Sequence, residues 1–195
     1  CFERLQCICL IFLLTMVSEI EKAVKTLKSG GIIIYPSDTI WAIGCDATNQ
    51  NTINKIYKIK NRSKSNPFIC LMRDYEMINK YCYINNSIID ILEIQKTPTT
   101  IIFEKVKNLN TFSDTIGIRI PKDSFCSGLL KKFKKPIIST SVNISGKKFP
   151  NYFKDISESI LNQVDFAVNL RREEKLNTAS KIIKIKNNKI ITIRS

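Results

Sequence analysis

Residues 30–39 read GGIIIYPSDT, a run that predicts a buried strand ending in a polar loop. The β-branched isoleucines suit a buried pleated surface, the glycine pair ends the preceding element, and Pro36 ends the strand. Ser37, Asp38 and Thr39 then lie beyond the carboxyl end of the strand, where open α/β sheets keep their ligands. The stretch therefore predicts an α/β domain with a polar site at a strand end.

A helix and a second polar loop follow this strand. Apolar residues at helical spacing predict a helix over residues 51–60, and Lys60, Arg62 and a turn closed by Pro67 come next. A guanidinium fork and an ammonium group beside a turn suit phosphate oxygens or a carboxylate. A solvated basic loop is the alternative interpretation of the same residues.

The charge of the chain points to a polyanionic ligand. The 195 residues carry a formal net charge of +14 and 44% hydrophobic residues, which predicts one globular domain with affinity for nucleic acid, nucleotides or another polyanion. Richness in Lys, Asn and Ile is also expected of an AT-rich genome. Part of the charge is therefore explained without any ligand.

Histidine is absent from the sequence. This excludes Ser-His-Asp and Cys-His nucleophile systems, HExxH zinc sites and imidazole general bases. Chemistry must then use carboxylates, lysine, hydroxyls, substrate groups or a water-rich metal such as magnesium. The seven cysteines form no CxxC pair and are odd in number, which favours reduced thiols in a cytoplasmic protein.

The first 15 residues differ from the rest of the chain. Residues 8–17 form an apolar run of about ten residues, shorter than the roughly twenty that span a bilayer, so no membrane segment is predicted. We expect residues 1–15 to be a non-native or disordered extension, the gene product to begin at Met16, and residues 16–195 to form the domain. An amphipathic helix is predicted from Val17 to the stop at Gly30.

Further elements follow in α/β order. Residues 115–120 alternate with period two, so Thr115, Gly117 and Arg119 share one face of a strand. Arg119 is thus a candidate ligand contact, or else a charge on an edge strand. The other predicted strands cover residues 68–72, 101–103, 137–138 and 164–170, with a terminal hairpin over 179–193 that turns at 187–188. The other predicted helices cover residues 74–78 (capped by Asp74), 85–93, 123–133 and 155–161.

A second polar cluster follows the strand that begins at Ile137. Residues 139–146 contain four hydroxyls, an amide and a glycine, which together can surround an anion or a nucleotide base with donors. A serine-rich turn is the alternative, and the GxxxxGK[ST] pattern of a P-loop is not present.

In their order along the chain, these segments resemble the YrdC family of threonylcarbamoyl-AMP synthases. The matching segments are residues 36–47, 60–67, 97–100, 117–121, 140–146, 178–180 and 193–195. The resemblance implies the short, single-domain form, with a twisted mixed β-sheet flanked by helices and a concave basic cleft.

The same resemblance implies the chemistry and the site. The family condenses L-threonine, bicarbonate and ATP, which is accompanied by Mg2+, and passes the product to a transferase that modifies tRNA. The residues implied for threonine are Thr39, Arg119 and Ser141. Those implied for ATP are Lys60, Arg62, Asn66, Thr115, Asn143, Asn151 and Arg194, and those implied to be catalytic are Lys60, Arg62, Ser141 and Asn143.

Two other functions remain open on the sequence. One is a tRNA or double-stranded RNA binding module, which would show strongly salt-dependent binding and no ATP turnover. The other is a paralogue of the same fold that does not activate threonine.

Overall fold

A mixed α/β fold is the architecture of the computed structural model, which describes residues 2–84, 86–104, 106–109, 115–186 and 189–195. The described strands form one sheet in the order β7-β1-β2-β6-β3-β5-β4-β8-β9. They are β1 (Ile33–Pro36), β2 (Trp41–Asp46), β3 (Ile69–Leu71), β4 (Thr99–Glu104), β5 (Thr115–Arg119), β6 (Ile137–Ser141), β7 (Phe166–Ala167), β8 (Lys181–Lys186) and β9 (Lys189–Arg194). The helices are α1 (Phe2–Lys28), α2 (Gln50–Ile59), α3 (Tyr75–Tyr81), α4 (Asn86–Ile94), α5 (Ser124–Phe133) and α6 (Glu158–Leu161). The predicted fold class, a mixed sheet flanked by helices, is confirmed.

Both faces of the central strands are covered. On one face, α1 and α5 pack together over Tyr35 and Leu71. On the other face, α2 packs over Ile34 and Ile43. Because side chains alternate across a strand, β1, β2, β3 and β6 each supply side chains to both cores.

Side-chain caps fix the starts of two predicted helices. Asp74 accepts a hydrogen bond from the backbone N–H of Met77 at 2.8 Å, and Asp123 accepts one from that of Cys126 at 2.8 Å. Each cap satisfies a donor that the first turn of a helix leaves unpaired. The predicted cap of α3 by Asp74 is confirmed.

Strand β2 lies where the sequence predicts a polar loop. It pairs antiparallel with both β1 and β6, and all of its residues are buried. Burial on both faces removes the period-two pattern by which a half-exposed strand is recognised, and Gly44 weakens the strand signal further.

Two other elements differ from the predictions, and a third is confirmed. The predicted helix over residues 155–161 is divided into a 3-10 turn (Phe153–Asp155) and α6, because Ile156 has extended backbone angles. Within the predicted strand over 164–170, the regular strand is limited to β7, which lies parallel to β1; Asp165 and Val168 on either side also donate backbone hydrogen bonds to Ile32 and Ile34. The terminal hairpin is confirmed as β8 and β9, although its turn at 187–188 lies outside the described residues.

Helix α1 begins at Phe2 and so includes nearly all of the segment that the sequence sets apart. Its apolar side chains from Leu10 to Leu14 are exposed, whereas Ala23 and Leu27 pack in the core. A start of the native chain at Met16 stays a prediction. In the described part of the chain, no helix has both the length and the apolarity needed to cross a membrane.

Candidate active site

A cavity of about 230 Å³ lies on the sheet face that α1 and α5 partly cover. The strand register places Ala42 beside Ser141 and Ile69 beside Ser139 on this face. The lining residues are Ser37, Thr39, Ile40, Ala42, Arg62, Pro67, Phe68, Ile69, Arg119, Ser139, Thr140, Ser141, Phe149, Ala179, Ser180, Ile182 and Arg194. The structure therefore brings together five of the predicted site residues: Thr39, Arg62, Arg119, Ser141 and Arg194.

Arg119 lies at the end of β5, on the face predicted from the alternation. Its side chain is only 3% exposed, and Nη2 lies 3.2 Å from Oδ1 of Asp38, which is also buried. The two atoms do not meet in hydrogen-bonding geometry, and Nε of Arg119 has no partner either. A buried guanidinium with unused donors on a cavity wall is suited to a ligand carboxylate.

Arg62 lines the cavity from the loop after α2. Its Nε donates to the carbonyl of Asn66 at 2.9 Å and its Nη2 to that of Pro67 at 3.2 Å, while the guanidinium lies over the ring of Phe68 at 5.2 Å. Phe68 in turn stacks on Tyr57. Burial lowers the pKa of Arg62, but the group stays charged at neutral pH. The turn therefore holds a fixed cation on the cavity wall.

Arg194 reaches the same cavity from β9. Its Nε and Nη2 donate to the carbonyl of Ser180 at 3.0 and 2.7 Å. Ser180 is held by Thr100, whose hydroxyl lies 2.9 Å from the Ser180 hydroxyl. Burial, and beyond it the positive charge of Arg119, lowers the pKa of Arg194. The two arginines therefore repel each other across the cavity, and an anion between them would relieve that repulsion.

The loop between β1 and β2 forms another wall. The hydroxyls of Ser37 and Thr39 lie 2.8 Å apart, and the Ser37 hydroxyl donates to the carbonyl of Ile40 at 2.8 Å. Arg171 donates to the Ser37 carbonyl at 3.1 Å while it pairs with Glu174. These contacts fix the hydroxyls at the cavity edge.

Lys60 is 1% exposed and does not line the cavity. Its Nζ donates to the carbonyl of Ser141, to the carbonyl of Asn143 at 2.7 Å and to the Asn143 side chain at 3.1 Å. Burial, together with the charge of Arg62, lowers the pKa of Lys60 to about 7. In this state Lys60 fixes the loop that follows β6, and its predicted contact with ATP stays a prediction.

A second cavity of about 440 Å³ adjoins the first, and Phe149 lines both. Two predicted ATP ligands, Asn143 and Asn151, lie on its wall with Lys147 and Lys148. The Asn143 amide donates to the Lys147 carbonyl, which closes the loop around this cavity. The two cavities together offer room for a ligand larger than an amino acid.

Besides Lys60, two predicted ligands line neither cavity. Asn66 lies in the turn that anchors Arg62, and Thr115 lies at the start of β5, opposite Glu104. Thr115 and Arg119 lie four residues apart on the same face of β5. At about 3.3 Å per residue, this places them roughly 13 Å apart along the strand. Their roles toward ATP stay predictions.

Several lining residues received no individual ligand role from the sequence, although Ser139 belongs to the predicted polar cluster. Ser139 and Phe149 lie within or beside the second polar cluster, and Ser180 lies within a segment of the family resemblance. Ser139 lies two residues before Ser141 on β6, so the two hydroxyls share the face that lines the cavity. This spacing is the signal that would have identified Ser139. Phe149 carries no local signal.

The arrangement is suited to binding anions. Three arginines approach one cavity from different strands and loops, with hydroxyls between them. Among the described residues, Asp38 is the carboxylate that pairs with one of these arginines; it lies beside Arg119 and does not line the cavity. Such a site can hold a carboxylate and phosphates near one another.

Comparisons with known proteins agree with this architecture. The Sua5/YciO/YrdC family model, whose description is telomere recombination, matches residues 25–195. A protein named "Putative threonylcarbamoyl-AMP synthase" from Methanocaldococcus jannaschii is 35% identical over 173 residues, which are 87% of this chain and 82% of the relative. YciO of Escherichia coli, described as an uncharacterized protein, is 27% identical over 157 residues, or 76% of each chain.

A solved structure of Sua5 from P. abyssi, complexed with L-threonine, shares the fold. Its TM-score is 0.77 at 20% sequence identity, and the match covers 90% of this chain. The match covers 53% of the Sua5 chain, so this chain spans about half of that protein. At this identity the likeness is evidence of fold.

Proposed function

The chain belongs to the Sua5/YciO/YrdC family, and on this basis we propose that it is a threonylcarbamoyl-AMP synthase. The proposed reaction condenses L-threonine, bicarbonate and ATP to threonylcarbamoyl-AMP and pyrophosphate. The observation that carries the proposal is the meeting of Arg62, Arg119 and Arg194 in one cavity, because a carboxylate and phosphates must be held side by side. Support comes from the relative of that name and from the threonine complex of Sua5.

Threonine would bind through its carboxylate to Arg119. The guanidinium has donors that the protein leaves unused, and it is buried, so an incoming carboxylate would form a charge-assisted pair with little competition from water. The hydroxyls of Thr39 and Ser141 would contact the rest of the amino acid. Both line the cavity with Arg119.

ATP would lie across both cavities with its phosphates toward Arg62 and Arg194. Asn143 and Asn151 would hold the part of the nucleotide in the second cavity. Lys60, Asn66 and Thr115 are proposed to contribute at the margins of the same site. Magnesium would enter with ATP, held mainly by phosphate oxygens and water, as is usual for this ion.

The proposed chemistry needs no protein nucleophile. The threonine amine attacks the carbon of bicarbonate, water leaves, and a carbamate forms. A carbamate oxygen then attacks the α-phosphorus of ATP, the bond to the β-phosphate breaks, and pyrophosphate leaves. Arginines fixed in advance by turns and carbonyls stabilise the negative charge that grows on the leaving phosphates. A chain without histidine can perform these steps.

The product would pass to a transferase that forms N6-threonylcarbamoyladenosine in tRNA. The net charge of +14 supports contact with tRNA as well as with ATP. We propose a cytoplasmic setting, because the five cysteines whose side chains are described are all free thiols.

Pyrophosphate release from ATP tests the proposal. The chain is assayed with bicarbonate and magnesium, with and without L-threonine, and the expected result is release that depends on threonine. Release without this dependence would favour a paralogue with another substrate. No release, combined with RNA binding that weakens steeply with salt, would favour the RNA-binding module.

A further inference from the structure

A buried carboxylate lies beside the arginine that we assign to the substrate. Oδ1 of Asp38 is 3.2 Å from Nη2 of Arg119, and the two side chains are 7% and 3% exposed. Arg119 lines the cavity, whereas Asp38 does not. Asp38 can therefore act on a ligand only through its neighbours.

The contact is an incomplete one. Oδ1 of Asp38 and Nε of Arg119 both lack a hydrogen-bond partner, although both atoms are buried. Buried ion pairs add to stability only when hydrogen bonds also satisfy the charged groups. Because Asp38 and Arg119 leave buried polar atoms without hydrogen bonds, the pair is not explained by its effect on stability. It is explained if Asp38 holds the Arg119 guanidinium in position for a ligand.

Asp38 also joins two walls of the cavity. It lies between Ser37 and Thr39, whose hydroxyls line the cavity, and its Oδ2 accepts a hydrogen bond from the backbone N–H of Lys122 at 3.4 Å. Lys122 follows the strand that carries Arg119. One side chain thus connects the hydroxyl loop to the arginine strand.

We infer that Asp38 is a positioning residue, which aims the Arg119 guanidinium at the substrate carboxylate and keeps the Thr39 loop in register with it. The inference rests on the proposed function, since it takes Arg119 to be the carboxylate partner. Asp38 itself touches neither substrate nor ATP.

The test is Asp38→Asn, which keeps the shape and removes the charge. Threonine-dependent pyrophosphate release is measured while L-threonine and ATP are varied in turn. We expect the KM for threonine to rise by about 10-fold, which corresponds to a loss of about 1.4 kcal/mol of binding free energy. The KM for ATP should change by less than twofold. An unchanged threonine KM, or an equal rise in both constants, would overturn the inference.

L-threoninamide provides a readout that a purely structural role would not change. It lacks the carboxylate, so the preference of the wild type for threonine over threoninamide should shrink about tenfold in Asp38→Asn. A preference equal to that of the wild type would contradict the positioning role.

Asp46→Asn is the matched control. Asp46 is another buried carboxylate, at the far end of β2, and it pairs with Lys135 at 2.8 Å. Its substitution should lower the melting temperature and leave both KM values as in the wild type.

If Asp38→Asn does not fold, Asp38→Glu is used to test the positioning role instead. Its carboxylate is moved by one methylene, so the threonine KM should rise at least threefold with the ATP KM unchanged; a wild-type threonine KM would overturn the inference. A wild type that shows no threonine-dependent release at all would instead refute the proposed function, which keeps the two failures distinct.

Discussion

Arg119→Ala should weaken threonine binding and also lower the stability of the fold, and the two effects can be measured separately. Removing one partner of a buried, hydrogen-bonded charge pair costs about 2–5 kcal/mol of binding. At about 3 kcal/mol, the KM for threonine would rise roughly 100-fold, with the KM for ATP much less affected. The assay is threonine-dependent pyrophosphate release with each substrate varied.

The same substitution leaves Asp38 as a buried charge without its cation. Breaking a buried pair costs about 3–5 kcal/mol, and the poor geometry of this pair places the expected loss near the lower limit, about 3 kcal/mol. For a domain of this size that is a fall in melting temperature of roughly 6–12 °C.

The double variant Arg119→Ala, Asp38→Asn separates the two effects. It removes the orphaned charge, so part of the melting temperature should return while the threonine KM stays high. The reasoning would be refuted by an Arg119→Ala variant that melts early and yet keeps its threonine KM within threefold. Equal rises in the threonine and ATP constants would show that the cavity is assigned to the wrong ligands.

Three further predictions concern neighbouring residues. Arg62→Ala should abolish synthesis and lower the melting temperature only slightly, since the lost hydrogen bonds lie in a half-exposed turn. Arg73→Ala, a half-exposed arginine outside the cavity, is the control, and near-normal turnover of Arg62→Ala would rule the role out. The pKa of Lys60 is about 7 in the folded chain and about 10.5 in the unfolded chain, so the unfolded chain binds more protons between these pH values. The free energy of unfolding should therefore rise with pH in that window, by up to about 1.4 kcal/mol per pH unit. Urea unfolding at pH 7, 8 and 9 should show this rise in the wild type and lose it in Lys60→Met; equal slopes would contradict it. Gly44→Ala would place a Cβ 2.4 Å from the Ile138 carbonyl, so urea unfolding should show a loss of about 1–3 kcal/mol, and an unchanged midpoint would contradict this close approach.

The fold was predictable from the sequence where local patterns were strong. The alternation in β5 placed Arg119 on the correct face, and Asp74 marked the start of α3. In both places the pattern spans only a few residues: the alternation follows from strand geometry, and the cap joins the Asp74 carboxylate to an N–H three residues later. Such local signals predicted an α/β domain, whereas the mixed sheet flanked by helices was implied by the family resemblance.

Long-range contacts were beyond such signals. No local pattern shows that Asp38 meets Arg119, because that contact depends on the loop after β1 reaching the end of β5. Nor does a motif show that Lys60 would use its donors on Asn143 while Arg62, two residues later, faces the cavity. Residue type predicted the chemistry of the site, but tertiary packing decided which side chain faces the ligand.

The cavity joins side chains from distant parts of the sequence, from Ser37 after β1 to Arg194 on β9. β8 pairs parallel with β4, and β5, β6 and β7 lie between these two strands in the sequence, so the hairpin of β8 and β9 is synthesised after those strands. During synthesis, the loop between β1 and β2 that carries Thr39 would therefore be made well before Arg194. On the proposed function, a chain that lacks β9 would keep Thr39 but would lack Arg194, one of the three arginines of the cavity.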